Sequence, residues 1–263
     1  MTLKFYKYQG TGNDFIIIDN RTGFFSKNNT KLVNFLCDRK FGIGADGLML
    51  VEKPEVKDDD FKMVYYNADG NESSMCGNGG RCLVAFAKHL GIIKDKAKFT
   101  AIDGSHKAII HNGLVSLQMQ DVKSIRREGE DLFLDTGSPH HVVFTEEVDT
   151  IDVRTQGAGI RYNQQYKEKG TNVNFVKQLS ANEYKVRTYE RGVEDETLSC
   201  GTGVTAVAIA ASASNRADGE LVKLQTPGGE LSVSFRRNGE TFKEIWLTGP
   251  ATQVFKGEIL CKL

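Results

Sequence analysis

Short apolar runs dominate the pattern of hydrophobic and polar positions along the chain, and most of them are too short for helices. They are rich in β-branched, aromatic and long aliphatic residues, which favour strands. Strands are therefore predicted within residues 15–19, 48–51, 62–66, 172–176 and 184–189. The pattern indicates a sheet-rich chain with few helices.

Helical patterning is confined to residues 31–39, 81–90 and 204–214. Thr30 is expected to cap the first of these helices, and Gly91 to end the second. The second and third are apolar over most of their circumference, which is typical of a helix buried at the centre of a domain.

Two parts of the chain repeat one another around a Cys-Gly-x-Gly sequence. Residues 72–79 (ESSMCGNG) align without gaps to residues 196–203 (ETLSCGTG), and each segment leads into one of the two apolar helices. Each segment also follows a predicted strand with a tyrosine near its end. One short motif could recur by chance, but a motif, a strand and a helix together indicate a repeat.

The similarity continues after each helix, in three strand-like runs. Asp103-Gly104 and Asn112-Gly113 separate the runs of the first set, and residues 227–229 and Asn238-Gly239 separate those of the second. Asn-Gly and Asp-Gly pairs favour tight hairpins. We therefore expect an α+β fold of two similar halves, each with strands around one buried helix, divided near residues 119–127.

Composition and charge exclude several classes of protein. The chain has 34 basic and 34 acidic residues, and this zero net charge argues against a general nucleic-acid binder. A hydrophobic fraction of 40% argues against intrinsic disorder. The N-terminus has no apolar signal segment, and no apolar run approaches the length of about 18 residues that spans a membrane. The expected location is the cytoplasm, where cysteines stay reduced.

Cys76 and Cys200 occupy matching positions, each at the start of an apolar helix. The first N–H groups of a helix lack partners within the helix and favour an anion, so a cysteine there ionises more readily. A structural cysteine in a glycine turn is the alternative at either site, but two matched sites favour a function. Cys37, Cys82 and Cys261 lack this context, and we interpret them as packing residues.

A symmetric pair of cysteines suits the inversion of a stereocentre. A thiolate removes a proton from one face of a carbon, and a thiol returns a proton to the opposite face. The helix N-termini would hold a substrate carboxylate and stabilise the charge that develops on deprotonation. The pair therefore predicts an isomerase that acts on a small molecule.

Two other motifs predict no cofactor or metal site. Residues 42–47 match G-x-G-x-x-G, but a helical pattern precedes them and a strand follows, the reverse of a dinucleotide site. His140 and His141 are adjacent, so in a strand they face opposite ways. No spacing of cysteines and histidines completes a zinc site, and no metal is expected.

Polar residues flank both cysteine segments at the ends of predicted strands. They are Asn13, Asn67, Asn172 and the pair Glu190-Arg191. Taken singly, each suits a turn or a cap. Taken together they favour a substrate-lining role, and Arg191 is the best candidate to bind a second carboxylate, because a guanidinium group matches a carboxylate bidentately.

Motifs over most of the chain resemble those of the diaminopimelate epimerase family. The matching residues are 10–15, 38–47, 67–70, 76–81, 138–140, 172–175 and 190–203. The resemblance implies two pseudo-symmetric α+β domains, each a curled, mostly antiparallel sheet around a central helix. It also implies domains of residues 1–120 and 121–249, with a C-terminal strand at about 250–263 that returns to the first domain.

The resemblance further implies an activity and a set of site residues. The activity is the interconversion of LL- and meso-diaminopimelate in lysine and peptidoglycan-precursor synthesis, with Cys76 and Cys200 as the acid/base pair. The residues implied for the α-carboxylate and amine are Gly77, Asn78, Gly201 and Thr202. Those implied for the distal, non-reacting centre are Asn13, Asn67, Asn172 and Arg191. Those implied to tune the cysteines and orient the reacting ammonium group are Glu190 and His140. The family uses neither pyridoxal phosphate nor a metal, and homodimers are common in it.

The chain departs from the family pattern at two positions that touch substrate in the family. Ser138 stands where Asn is frequent, and Gly47 where Gln is frequent. An epimerase or racemase for another amino acid, such as histidine or hydroxyproline, is therefore an alternative. A hydrolase that pairs one cysteine with His140 would leave the second cysteine unexplained. A non-catalytic amino-acid-binding protein would keep its affinity after alkylation of either cysteine.

Overall fold

The computed structural model describes residues 2–261 of the chain. The chain divides into two compact units, the first of Met1–Leu117 and Pro250–Leu263 and the second of Gln118–Gly249. The domain limits predicted at residues 1 and 263 lie outside the described residues. The first unit is thus built from two separate segments of the chain.

The first unit combines helices with strands from both of its segments. Its helices are α1 (Thr30–Cys37) and α2 (Gly77–His89). Its strands are β1 (Thr2–Gly10), β2 (Asn13–Asp19), β3 (Gly47–Glu52), β4 (Phe61–Asn67), β5 (Lys96–Ala101), β6 (Gly104–His111), β7 (Leu114–Gln118) and β17 (Thr252–Leu260).

Strand order in the first unit follows the chain, except that the C-terminal strand lies beside the first. β17 pairs antiparallel with β1, and β1 with β2. β2 and β3 are parallel, with α1 in the connection, and β3 and β4 are antiparallel. β4 and β5 are parallel, with α2 in the connection, and β5, β6 and β7 form an antiparallel meander.

The second unit has the same kinds of element. Its helices are α3 (Val153–Arg161) and α4 (Gly201–Ala213). Its strands are β8 (Ile125–Glu128), β9 (Asp131–Asp135), β10 (Pro139–Phe144), β11 (Asn172–Ser180), β12 (Glu183–Glu190), β13 (Asp195–Thr197), β14 (Leu221–Thr226), β15 (Gly229–Asn238) and β16 (Thr241–Pro250).

The second unit repeats the strand order and orientations of the first. β8, β9 and β10 are antiparallel in succession, as are β17, β1 and β2. β10 and β11 are parallel across α3, and β11 and β12 are antiparallel. β12 and β14 are parallel across α4, and β14, β15 and β16 form the second meander. The short β13 adds to β12.

The repeat extends to single residue pairs beside the cysteine segments. Tyr66 pairs with Glu72 in the first unit, and Tyr189 pairs with Glu196 in the second. Glu72 and Glu196 also occupy the same position in the sequence alignment of residues 72–79 with residues 196–203. Both predicted meanders are present, with their turns at the expected Asp-Gly, Asn-Gly and Pro-Gly-Gly positions. The predicted fold class of curled sheets around central helices is confirmed.

Helices α2 and α4 pack against several strands of their own units, in matching sets: β1, β2, β3 and β6 for α2, and β9, β10, β11 and β15 for α4. Every residue of α4 from Gly203 to Ser212 is buried, as predicted for a central helix. Both helices begin earlier than predicted, at Gly77 and Gly201, because glycines in a first turn carry no hydrophobic signal.

Helix α1 differs slightly from its prediction. Asn29, and not Thr30, is the N-cap, and its Oδ1 accepts a hydrogen bond from the Leu32 amide at 3.0 Å. The helix ends at Cys37, two residues early, because Asp38 is extended and its carboxylate accepts the amides of Lys40 and Phe41.

Helix α3 was not predicted. Its N-cap is Asp152, whose Oδ1 accepts from the Thr155 amide at 3.0 Å. Gly157 lowers its helix propensity, yet a Cβ there would lie 2.4 Å from the Tyr189 Cβ. Close packing of α3 on β12 therefore requires a glycine at position 157. The same glycine weakens the helical pattern of the sequence, so the helix was missed. None of the helices described here is long and apolar enough to cross a membrane.

Candidate active site

The predicted site residues lie at the ends of strands in each of the two units. In the first unit Asn13 begins β2 and Asn67 ends β4. In the second unit Asn172 begins β11 and Glu190 ends β12. The end of β4 precedes α2, and the end of β12 precedes β13 and α4. Each cysteine is therefore accompanied by polar residues of its own unit.

Cys76 is the N-cap residue of α2, with an extended backbone, and it is partly exposed. Its thiol donates to Asn13 Oδ1 at 3.5 Å. The same oxygen accepts from Asn78 Nδ2 at 3.5 Å, while Asn13 Nδ2 donates to the Asp46 carboxylate. These partners fix the orientation of the Asn13 amide, with its oxygen towards Cys76.

Arg81 is a buried cation directly beneath the Cys76 turn. Its guanidinium group donates to Asn78 Oδ1 at 3.0 Å, to Thr11 Oγ1 at 3.2 Å and to the Gly77 carbonyl at 3.3 Å. Burial lowers the pKa of Arg81 below its usual value, but an arginine side chain stays protonated in proteins. Arg81 therefore supports the first turn of α2. This role was not predicted, although Arg81 is a charged residue in an otherwise apolar helix.

An ionic cluster supports Asn13 from the other side. Lys7 is buried and pairs with Asp14 at 2.6 Å, and Arg39 bonds both Asp14 and Asp46 at 2.7 Å. Burial raises the pKa of Asp14, but hydrogen bonds from Arg39 and Lys7 outweigh burial and hold this pKa at about 2. Asp14 is therefore ionised at neutral pH, and the ion pairs of Arg39 hold Asp46 against Asn13.

Cys200 is the N-cap of α4 and is buried. Its Sγ lies 3.4 Å from Thr202 Oγ1, and that hydroxyl lies 2.9 Å from His140 Nε2. The Thr202 carbonyl in turn accepts from Thr136 Oγ1 at 2.8 Å. His140 thus reaches the cysteine through a threonine hydroxyl. Thr136 was not a predicted site residue, and it gives no signal in the sequence.

His140 is completely buried on β10. Burial and, secondarily, the charge of Arg191 lower its pKa to about 3, so it is neutral at pH 7. His141 faces the other way, as predicted, and contacts Tyr166 and Asp131.

The lowered pKa of His140 predicts a pH-dependent stability. Between the ordinary histidine pKa of about 6.5 and about 3, the unfolded chain binds a proton at this residue that the folded protein does not. We therefore expect the free energy of unfolding to decrease as the pH is lowered through this window. This group contributes up to about 1.4 kcal/mol per pH unit. His140→Gln should reduce the slope, measured by urea unfolding over this pH range. Equal slopes in wild type and His140→Gln would contradict the prediction.

Asn172, Ser138 and Arg191 form a second polar group in the same unit. Asn172 Oδ1 accepts from the Arg191 amide at 2.9 Å, and Asn172 Nδ2 donates to Ser138 Oγ at 3.2 Å. The Arg191 guanidinium group donates to the Lys169 carbonyl at 2.8 Å and to Ser138 Oγ at 3.4 Å. These contacts hold the guanidinium group in place beside Asn172.

The remaining predicted site residues are Glu190 and Asn67, each at the end of a strand. Glu190 Oε2 accepts from Thr197 Oγ1 at 3.0 Å, which ties the end of β12 to β13. Asn67 is exposed and pairs with Gly47 across β3 and β4. A Cβ at Gly47 would lie 2.6 Å from the Tyr65 ring, so Tyr65 occupies the space that a side chain at position 47 would need.

Cys37, Cys82 and Cys261 are buried, as their interpretation as packing residues predicts. Burial raises the pKa of Cys37 and of Cys82 to about 12, so neither is a thiolate at neutral pH. Within residues 2–261, no group of three or more histidine, cysteine or acidic side chains is arranged to hold a metal ion.

Comparison with known proteins extends the resemblance that the motifs indicated. The model of the family described as diaminopimelate epimerase matches residues 5–123 and 132–254. The chain belongs to this family. A diaminopimelate epimerase of Flavobacterium psychrophilum is 55% identical over 258 residues, which cover 98% of this chain and 100% of the relative. Membership of the diaminopimelate epimerase family confirms both the resemblance and the prediction of an isomerase.

More distant proteins share the sequence or the fold. A diaminopimelate epimerase of Aquifex aeolicus is 39% identical, with 98% of each chain covered. The crystal structure of a PhzF-family phenazine biosynthesis protein of Bacillus anthracis matches with a TM-score of 0.77 over 99% of this chain and 100% of its own, at 12% identity. A hydroxyproline epimerase of Agrobacterium vitis matches with a TM-score of 0.73 over 98% of this chain and 92% of its own, at 13% identity. At such identities the two structures show a shared fold.

Proposed function

We propose that this protein interconverts LL- and meso-diaminopimelate without a cofactor, as a step of lysine and peptidoglycan-precursor synthesis. One observation carries the proposal. In a chain of this family, each of the two repeated units has a cysteine as N-cap of its central helix, within the same arrangement of strands. Two equivalent acid/base groups are what inversion at one carbon requires.

In each turnover of the proposed reaction, one cysteine gains a proton and the other loses one. The thiolate of one cysteine takes the α-proton of the substrate and becomes a thiol, and the electron pair of the broken C–H bond is delocalised into the α-carboxylate. The thiol of the other cysteine then gives its proton to the opposite face of the α-carbon and becomes a thiolate. The reverse direction starts from this exchanged state. The mechanism requires both sulfurs to reach the same α-carbon.

The α-carboxylate is assigned to the N-termini of α2 and α4. Gly77 and Asn78 open α2, and Gly201 and Thr202 open α4. N–H groups in a first helical turn point at an anion and carry partial positive charge, and they stabilise the charge that develops when the α-proton leaves. The bond from Arg81 to the Gly77 carbonyl supports this assignment, because it holds the first turn of α2 in place.

The distal, non-reacting centre is assigned to Asn13, Asn67, Asn172 and Arg191. This centre carries a carboxylate and an ammonium group, so it needs both donors and acceptors. Arg191 would bind the distal carboxylate, and its contacts with Ser138 and the Lys169 carbonyl orient the guanidinium group for that task. Glu190 and His140 would orient the reacting ammonium group and tune the cysteines.

The proposed function is tested by an assay of the purified, reduced protein with LL-diaminopimelate, with no pyridoxal phosphate and with a metal chelator present. We expect conversion to the meso isomer, and formation of the LL isomer from meso substrate. Histidine and hydroxyproline in the same assay serve as controls and should keep their configuration. Racemisation of either control without turnover of diaminopimelate would contradict the proposal.

We also propose that the protein forms a homodimer in the cytoplasm. Homodimers are common in the family, and the exposed side chains of β17 include Val254, Phe255 and Leu260, which are 46–70% exposed. Contact between two copies would cover such apolar side chains. Light scattering of the purified protein should give about twice the chain mass of 29.1 kDa, and a monomer at micromolar concentration would contradict a stable dimer.

A further inference from the structure

The amide of Asn174 is buried in β11, and its neighbours fix its orientation. Asn174 Nδ2 lies 3.2 Å from the carbonyl oxygen of His141 and 3.2 Å from His140 Nδ1. Thr188 Oγ1 donates to Asn174 Oδ1 at 3.0 Å. A carbonyl oxygen only accepts hydrogen bonds, so the atom that faces His141 must be the NH2 group. Its second hydrogen then points at His140.

This orientation selects the tautomer of His140. Because Asn174 donates to Nδ1, that nitrogen must accept, and the proton of the neutral ring lies on Nε2. His140 Nε2 therefore donates to Thr202 Oγ1 at 2.9 Å. Asn172 Nδ2 also lies 3.5 Å from Nε2, but its hydrogens have shorter paths to Ser138 Oγ at 3.2 Å and the Pro139 carbonyl at 3.0 Å.

The tautomer of His140 determines what the Thr202 hydroxyl can do. Since its oxygen accepts from His140, its own hydrogen is directed to another acceptor, and Cys200 Sγ lies 3.4 Å away. A thiolate accepts such a bond better than a thiol does. Cys76 faces the carbonyl oxygen of Asn13, which accepts a hydrogen bond from its thiol.

We propose that Asn174 is a positioning residue that, by setting the tautomer of His140, directs the Thr202 hydroxyl hydrogen to Cys200 and makes Cys200 the resting thiolate. The proposal rests on the proposed function and adds to it the identity of the first base. Gly203 makes the arrangement possible, because a Cβ there would lie 2.6 Å from Asn174 Oδ1 and 3.2 Å from Cys200 Cβ. The close approach of α4 to β11 brings Asn174 beside the cysteine.

Two measurements without substrate test the proposal at pH 7.5. The first is 15N NMR of histidine-labelled protein, which reports the protonated ring nitrogen. The second is the rate at which iodoacetamide alkylates Cys200 relative to Cys76, read by peptide mass spectrometry. In wild type we expect the His140 proton on Nε2. Because Cys200 is buried and Cys76 is partly exposed, the wild-type alkylation rate of Cys200 is the reference for the variants.

Four variants separate positioning from packing. Asn174→Asp replaces the donor with an acceptor, and should move the His140 proton to Nδ1 and slow alkylation of Cys200 about fivefold or more. Thr202→Val, which lacks the hydroxyl group, should slow alkylation of Cys200 similarly and leave the His140 tautomer unchanged. Thr202→Ser, which keeps the hydroxyl group, should give the wild-type rate. Thr188→Val, which leaves the Asn174 donor in place, is the control for altered packing and should change neither readout.

An Nδ1-protonated His140 in wild type would overturn the proposal. An Asn174→Asp variant whose Cys200 is alkylated at the same rate as in wild type would also overturn it. Neither readout involves turnover. If the protein fails to epimerise diaminopimelate but gives the expected tautomer and alkylation rates, the proposed function fails and the role of Asn174 stands. If epimerisation is present and the tautomer is wrong, only the role of Asn174 fails.

Discussion

Replacing either Cys76 or Cys200 with alanine is expected to lower kcat/KM for epimerisation by at least about a thousandfold, in both directions. General acid and general base catalysis each contribute roughly 10²- to 10⁴-fold. Inversion needs both groups in every turnover, so either loss stops it and the double variant should be little worse than the single ones. Steady-state rates from LL and from meso substrate measure the effect.

A cysteine in the same helix provides the matched control. Cys82 is buried in α2, six residues after Cys76, and its raised pKa of about 12 keeps it a thiol. Cys82→Ala should leave the rate within about twofold of wild type after correction for the folded fraction, although the lost packing lowers stability. A large loss in Cys82→Ala, or an active Cys200→Ala variant, would remove the case for the assigned pair.

Replacing Arg191 with leucine is expected to lower kcat/KM for diaminopimelate by roughly 30- to 1,000-fold. Loss of one partner of a desolvated, hydrogen-bonded charge pair costs about 2–4 kcal/mol, which converts to this range. Lysine at position 191 should recover only part of the activity, because an ammonium group cannot reproduce the bidentate geometry. The expected loss appears mainly in KM if Arg191 binds substrate and transition state equally.

A truncated substrate distinguishes binding of the distal carboxylate from a general structural role. 2-Aminoheptanoate keeps the reacting centre of diaminopimelate but lacks the distal charges. Wild type should turn it over poorly, and Arg191→Leu should not reduce that low rate further. If Arg191→Leu affects both substrates equally, Arg191 supports the fold of the β12–β13 turn and does not bind the distal centre.

Much of the architecture was predictable because the chain encodes it twice. The aligned segments at 72–79 and 196–203 led to the repeat, and in the structure their first residues, Glu72 and Glu196, each pair with a tyrosine of the preceding strand. The hairpin turns were predictable because Asn-Gly and Asp-Gly impose their own backbone conformations. Gly113 and Gly239 have positive φ, as such turns require.

Other features were not predictable because they depend on contacts between residues distant in the chain. Gly157 makes α3 look like a loop, and only the closeness of Tyr189 explains the glycine. Arg81 looks like an isolated charge until its bonds to Asn78 and Thr11 are seen. The Asn-Val-Asn pattern of β11 set Asn172 and Asn174 on one face, but the role of Asn174 required the distances to His140 and His141.

The most direct test of the two-base account is α-proton exchange in deuterium oxide by the single-cysteine variants. A variant with one cysteine can remove and return a proton on one face only, so it exchanges one configuration of the α-carbon without inverting it. We expect Cys76→Ala to incorporate deuterium into one configuration and Cys200→Ala into the other, while wild type incorporates it with inversion. Exchange of the same configuration by both variants would contradict the account.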